Sequence, residues 1–114
     1  MSAIELLLLE QIRQARLPEP EQQVAIIPKR RYRFDFAYPH LMVAIEVDGG
    51  TWKQTNRGRS AGHAHPARIT HDNEKRNLAR LLGWRVFQFD TTAINDGSAL
   101  EMVRQVIHRE WPMP

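Results

Sequence analysis

Three acidic residues occur on two neighbouring stretches of the chain, and their spacing can bring them side by side. Asp35 lies within F34-D35-F36, and E46-V47-D48 follows shortly afterwards. Residues two apart in a strand face the same side, so Glu46 and Asp48 should point together. If the two stretches pair as a hairpin, Asp35 lies across from them. Three adjacent carboxylates repel one another, and a bound cation would hold them together.

Carboxylate clusters of this kind suit Mg²⁺, which takes one or two carboxylates and keeps several waters. Such an ion activates a water molecule and neutralises charge on a phosphate during hydrolysis. A solvent-facing polar side of a hairpin is sufficient to explain any one of the acids. Three acids around an apolar strand in a basic chain favour the metal site, with Asp35 and Glu46 as ligands.

Lys75 is the basic residue that the same chemistry would use. It shares one face of a predicted helix with Leu78, Ala79 and Leu82. A lysine at the edge of an apolar face either extends past the core into water or points at an anion. Near a phosphate it would stabilise developing negative charge. Helical spacing alone leaves both roles open.

The periodicity of apolar residues predicts the elements that position these side chains. They run in the order helix, three strands, helix, strand, helix, over residues 3–15, 23–28, 31–38, 41–48, 71–82, 84–89 and 98–110. Ser2 and Glu5 fit a capping box, Thr70 is the predicted N-cap of the fifth element, and Gly83 follows its end. The predicted fold class is α/β, with a mixed central sheet of about four strands flanked by helices, in one domain spanning 1–114.

Several apolar residues have predicted places in this fold. Alternation puts four aromatic residues of the 31–38 strand on one face: Tyr32, Phe34, Phe36 and Tyr38. Trp84 is predicted to lie in the core. The last helix carries Leu100, Val103, Val106 and Ile107, which could form either a homodimer interface or simple core packing.

Positive charge is concentrated in the middle of the chain. The net charge of the 114 residues is +3, and there is no cysteine, which excludes disulfides and thiolate metal sites. Residues 29–85 hold twelve Lys or Arg against five Asp or Glu. A cationic surface indicates a polyanionic partner, and we predict DNA contacts for Lys29, Arg30, Arg31, Arg33, Lys53, Arg57, Arg59 and Arg68. Trp52 would stack on a base, insert into a duplex as a wedge, or cover the core.

A polar segment at 49–70 is predicted to form a long functional loop. It contains His63 and His65, and His71 follows it. Three histidines could bind Zn²⁺, but no regular element organises them. Phosphate contact or general acid catalysis fits them better, with His63 as the first candidate.

The order of these motifs resembles the PD-(D/E)XK nuclease superfamily, whose pattern is an Asp followed by Glu-x-Lys. Asp35 matches the first acid and Glu46 the second, while Asp48 stands where the lysine is expected. In several branches a lysine of the following helix takes that place, and Lys75 is the matching residue.

Within this superfamily, the chain is most similar to the very-short-patch-repair endonucleases and related small phage endonucleases. The matching stretches are A3-I4-E5, V47-D48-G49-G50-T51-W52, H71-D72-N73-E74-K75-R76-N77-L78-A79 and L82-G83-W84-R85-V86. The resemblance implies a Mg²⁺-dependent DNA endonuclease in which Mn²⁺ substitutes, from the cytoplasm of a bacterium or encoded by a phage. It also implies that Glu5 is an auxiliary acid, although its capping role is a sufficient explanation, and that the Val47 carbonyl binds the metal. We expect Asp48 to support the metal-bound waters.

Other functions stay open from the sequence. Mismatched, nicked and branched DNA are all candidate substrates, and a Holliday junction resolvase would favour a two-fold dimer. A catalytically inactive DNA-binding module would bind DNA without metal. A subunit interaction domain would dock its basic loop on an acidic protein. No stretch is long and apolar enough to predict a signal peptide or a membrane span.

Overall fold

A computed structural model describes residues 1–49 and 66–108 of this chain, with side chains in the second range described from Thr70 onwards. The helices are α1 (Ala3–Gln14), α2 (Pro66–Leu81), α3 (Thr91–Asn95) and α4 (Ser98–His108). The strands are β1 (Glu21–Val24), β2 (Phe34–Tyr38), β3 (Val43–Asp48) and β4 (Arg85–Asp90). No helix within the described ranges is long and apolar enough to cross a membrane.

The four strands form one mixed sheet in the order β1-β2-β3-β4. The first three strands are antiparallel neighbours, whereas β3 and β4 run parallel. A 3₁₀ turn at Pro39–Leu41 joins β2 to β3, and α2 lies in the crossover between the parallel pair, as such a connection requires. The predicted mixed α/β fold class is confirmed. That residues 1–114 form a single domain stays a prediction.

Helices cover both faces of the sheet, and each face has its own apolar core. On one face, α1, α3 and α4 pack over a cluster that includes Phe36, Ile45 and Phe89. On the other face, Ala79 of α2 packs with Phe34 and Ala44. The sequence did not decide whether four apolar residues of α4 form an interface or pack in the core. Val103 and Val106 are buried in the first core, and Leu100 and Ile107 pack partly against it.

The predicted face of four aromatic residues is wrong. Phe36 and Tyr38 lie in the first core, but Phe34 and the half-buried Tyr32 belong to the second core, beneath α2. The chain changes face between Phe34 and Phe36, so regular alternation stops at Asp35. The strand also begins at Phe34 rather than at residue 31.

The first strand is likewise displaced from its predicted position at 23–28. It spans Glu21–Val24, and the chain then turns so that Ile27 enters the second core at 6 % exposure. Pro28 lacks the amide proton that a continuing strand would need.

Helix α2 begins earlier than the sequence predicted. Because its first residue is Pro66, Thr70 is not an N-cap, and residues 66–70 of the predicted loop are helical. Proline is favourable at the first helical position, since its missing N–H has no intrahelical partner there. The end of the helix is as predicted: Gly83 adopts φ +96°, a conformation that suits glycine. Leu82 lies beyond the last turn and is 45 % exposed, not buried.

A short helix was missing from the predicted order. Helix α3 follows β4 directly, and the Asp90 side chain caps it by accepting a hydrogen bond from Ala93 N at 2.8 Å. The Asp90-Thr91-Thr92 sequence is the signal that could have revealed it. The two other helix assignments and the strand at β4 are confirmed within the described residues.

Tyr38 ties the sheet to the segment after α1, and its hydroxyl should contribute to stability. The side chain is 2 % exposed and donates a hydrogen bond to Pro18 O at 2.7 Å. Burial raises the pKa of Tyr38 and keeps it neutral. We expect Tyr38→Phe to lower the free energy of unfolding by about 1 kcal/mol, because the carbonyl loses its partner. Tyr32→Phe should lower the free energy of unfolding by less, because its partner Glu74 is exposed to water. Thermal unfolding of both variants measures the two losses of stability, and equal losses would contradict this prediction.

Candidate active site

Asp35 lies where β2 stops pairing with β3. The paired part of the two strands ends with Phe36 opposite Ile45. Beyond this pair, the Asp35 side chain replaces the backbone as the hydrogen-bond partner of β3. Its Oδ2 accepts a hydrogen bond from Val47 N at 2.7 Å. The side chain therefore lies across the gap between the two strands, at the carboxyl end of β3. The sequence predicted this proximity of Asp35 to E46-V47-D48.

The Val47 carbonyl must lie on the same side of β3 as Asp35. In a strand, the N–H and C=O of one residue point toward the same neighbour. Because Val47 N points at Asp35, the Val47 carbonyl also faces the gap between β3 and β2. The backbone oxygen implied by the family resemblance is thus on the edge that carries the first acid.

Glu5 approaches the same edge from the first turn of α1. Ser2 caps this helix, with its hydroxyl accepting from Glu5 N at 3.2 Å and donating to Glu5 Oε2 at 3.1 Å. The predicted capping interaction is therefore present. The second oxygen, Glu5 Oε1, is buried and has no hydrogen-bond partner among the described residues. A buried carboxylate oxygen without a donor is the kind of group that a cation or an ordered water satisfies.

Charged groups from three other elements act on the pKa of Asp35. Burial raises the pKa of Asp35, and the hydrogen bond from Val47 N opposes this rise. The charges of Glu5 and Glu46 raise the pKa further, while Lys75 lowers it. Asp35 is therefore within electrostatic range of two carboxylates and one ammonium group from three different elements, α1, β3 and α2.

Glu46 faces α2 and is held by two cations of that helix. Lys75 Nζ lies 2.6 Å from Glu46 Oε2, and Arg76 Nη1 lies 3.2 Å from Glu46 Oε1. The Lys75 ammonium also lies 4.5 Å from the centroid of the Phe34 ring. The placement of Lys75 near the acids agrees with its predicted face on the helix. Arg76 was missed, because helical spacing does not place it on the apolar face.

The end of β3 touches the beginning of α1. A Cβ atom placed on Gly49 would lie 2.6 Å from Ile4 Cγ2, which is closer than real contacts allow. The absence of a side chain at Gly49 thus lets the first turn of α1, with Glu5, approach the carboxyl end of β3. Asp48 occupies the last position of β3, level with Asp90 in the parallel register.

Arg30 and Tyr32, within the basic segment 29–33, lie against the side of α2. Arg30 and Tyr32 both donate to Glu74 Oε1, with Arg30 Nη1 at 2.9 Å, and Tyr32 is the largest cause of the lowered pKa of Glu74. Arg33 Nη1 donates to Gln23 O at 3.2 Å. Lys29 and Arg31 are exposed. This basic segment therefore flanks the face of α2 that carries Lys75.

Several predicted residues lie outside the described part of the chain. They are Trp52, Lys53, Arg57, Arg59, His63 and His65, together with the side chain of Arg68. Their roles stay predictions. His71 is described, and it is exposed on α2.

The described residues contain no group of three His, Asp or Glu side chains arranged around one metal position. Mg²⁺ does not require such a group, since one or two carboxylates, a carbonyl and waters are sufficient. Asp35, Glu5 and the Val47 carbonyl are oxygen donors of the type that this ion prefers. The buried Glu5 Oε1 and the mutual repulsion of the carboxylates also fit a cation at this edge.

Structural comparison identifies a similar protein. The fold matches the catalytic domain of the homing endonuclease I-Bth0305I with a TM-score of 0.66 and 15% sequence identity, covering 98% of this chain and 100% of that domain. At this identity the likeness shows the fold alone. No protein-family model matches the chain, and no curated protein matches it.

Proposed function

We propose that this chain is a metal-dependent DNA endonuclease that hydrolyses phosphodiester bonds. The observation that carries the proposal is the convergence of Asp35, Glu5, the Val47 carbonyl and Lys75 at the carboxyl end of β3. A fold shared with a homing endonuclease catalytic domain supports the same function.

The oxygen donors at this edge would hold the metal. Asp35 and the Val47 carbonyl lie on one side of β3, and Glu5 adds a carboxylate whose second oxygen is buried. Mg²⁺, with Mn²⁺ as a substitute, would supply charge neutralisation and an acidified water when bound there. We assign Asp48, at the end of the same strand, to holding waters around the ion.

The remaining residues of the site act on the phosphate and the water. Lys75 carries its ammonium group to the acidic edge on a helix that is packed into the core through Ala79. A fixed cation there stabilises negative charge that develops on a phosphate oxygen. Lys29 and Arg31 are exposed on either side of Arg30, which pairs with Glu74 of this helix, and they would contact neighbouring phosphates without selecting a base sequence. His63, the other predicted catalytic group, would provide a proton to the leaving oxygen.

Cleavage of supercoiled plasmid tests this function directly. We expect nicked or linear product with Mg²⁺ or Mn²⁺ and no product with a chelator, because carboxylates alone leave the phosphate charge unneutralised. Added Mg²⁺ in excess of the chelator should restore cleavage. Cleavage that persists in chelator would contradict the metal requirement.

The choice of substrate distinguishes the open alternatives. Duplexes with a mismatch, a nick or a four-way junction should be compared at one metal concentration. Two symmetric cuts in the junction, together with a dimer in solution, would identify a resolvase-type enzyme. Salt-dependent binding of all substrates without cleavage would instead identify the inactive DNA-binding module, and no binding at all would favour a protein partner.

A further inference from the structure

We infer that Glu46 is a positioning residue that anchors Lys75 and Arg76, and that it does not bind the metal. This inference rests on the proposed function, because it assigns a role within that site. The superfamily pattern places a metal ligand at Glu46. In this chain the carboxylate pairs with two cations instead, so its inferred role differs from that pattern.

The contacts of Glu46 carry the inference. Each of its two oxygens faces a different cation, Lys75 at 2.6 Å and Arg76 at 3.2 Å. All three side chains are largely shielded from water, with exposed fractions of 13 %, 13 % and 17 %. A shielded carboxylate between two cations is strongly held, since removing either side leaves charge without a partner.

A divalent cation at Glu46 would meet the same two positive charges. Lys75 is additionally fixed over the Phe34 ring, and Arg76 Nη2 donates to Asn73 Oδ1 at 3.1 Å, so neither is placed to withdraw freely. Glu46 also points to the face covered by α2, whereas Asp35 and the Val47 carbonyl lie in the plane of the sheet at the gap between β2 and β3. The Glu46 carboxylate and the proposed metal-binding edge therefore face different directions.

The anchor has a direct consequence for Lys75. This ammonium lies over the ring of Phe34, the residue next to Asp35 in β2. The Glu46 carboxylate fixes Lys75 at that position, and the two cations together exceed its single negative charge. The cluster thus retains net positive charge next to the acidic edge, where a phosphate would bind.

Direct measurement of Mn²⁺ binding separates the two roles of Glu46. We expect Glu46→Gln to bind Mn²⁺ within about threefold of wild type, as followed by electron paramagnetic resonance. Asp35→Asn should bind at least about tenfold more weakly, because it removes a ligand. Cleavage by Glu46→Gln should fall about tenfold at saturating metal, since Lys75 is no longer held in place. Weakening of Mn²⁺ binding by tenfold or more in Glu46→Gln would overturn the inference.

A stability cycle in chelator tests the anchor without metal or DNA. We expect Glu46→Gln and Lys75→Met each to lower the Tm by about 5 °C, and the double variant to lower it by clearly less than the sum. If the Tm losses of the two single variants add up in the double variant, Glu46 does not anchor Lys75. Glu101→Gln is the matched control, because it removes a carboxylate paired with Arg104 at an exposed site on α4 and should change the Tm little. Failure of wild type to cleave any DNA would refute the proposed function, while this cycle would still decide the role of Glu46.

Discussion

Asp35→Asn should abolish cleavage and at the same time raise the stability of the protein. The amide keeps an oxygen that can accept the hydrogen bond from Val47 N, so the end of β2 should hold its place. It removes the negative charge on which the proposed metal binding depends. We expect the rate of plasmid cleavage to fall at least about 10³-fold, as for loss of a group on which the chemistry depends.

The gain in stability follows from the direction of the pKa shift. Burial and neighbouring carboxylates raise the pKa of Asp35 in the folded protein, so the folded state binds this proton more tightly than the unfolded chain does. The stabilisation from protonated Asp35 is present below the unfolded pKa and is lost as the pH rises through the folded pKa. At neutral pH the wild type therefore carries an unfavourable negative charge at Asp35, and the substitution by asparagine removes it. The difference in Tm between the two proteins should shrink as the pH is lowered.

Thermal unfolding from pH 4 to pH 8 in chelator checks this, with Asp96→Asn as the control. Asp96 also accepts a backbone hydrogen bond, from Ser98 N at 2.8 Å, but this bond lowers its pKa. Its replacement should therefore leave the Tm unchanged or reduced at neutral pH, and cleavage should be retained. A folded Asp35→Asn protein that cleaves at more than one tenth of the wild-type rate would remove Asp35 from the centre of the site.

Local periodicity predicted much of the site because β3 is regular. Alternation along E46-V47-D48 and a hairpin to the preceding strand were sufficient to bring Asp35 to this stretch, and helical spacing put Lys75 on the inner face of α2. Both inferences use only the geometry of neighbouring residues. They succeed because the covering helix and the central strand follow their ordinary periods.

The features that periodicity missed depend on contacts distant in sequence. The change of face between Phe34 and Phe36 arises because one residue packs beneath α2 and the other against the opposite core. Pairing of Glu46 with Arg76 likewise depends on how α2 docks on the sheet, which no local pattern encodes. The early start of α2 at Pro66 was hidden because the Gly- and Arg-rich sequence before it predicts a loop.

Gly49 should prove essential because it admits the first turn of α1 to the site. Its backbone approaches Ile4 so closely that an added Cβ would lie 2.6 Å from Ile4 Cγ2. The β-branched side chain of isoleucine has one strongly preferred rotamer in a helix, so it cannot easily turn away. We expect Gly49→Ala to displace Glu5 from Asp35 and to lower cleavage about 100-fold, since a shift of about 1 Å in a catalytic group has an effect of this size.

Two substitutions at Ile4 determine whether this contact is the cause. Leucine has no branch at Cβ and so lacks the methyl group at the Cγ2 position, whereas valine retains it. Gly49→Ala with Ile4→Leu should therefore recover most of the lost activity, while Gly49→Ala with Ile4→Val should remain impaired. Cleavage rates and Tm values of the two double variants, with each single variant at Ile4 as a reference, make the comparison. Equal rescue by leucine and valine would show that the loss comes from the backbone of β3, and full activity in Gly49→Ala would separate the approach of α1 from catalysis.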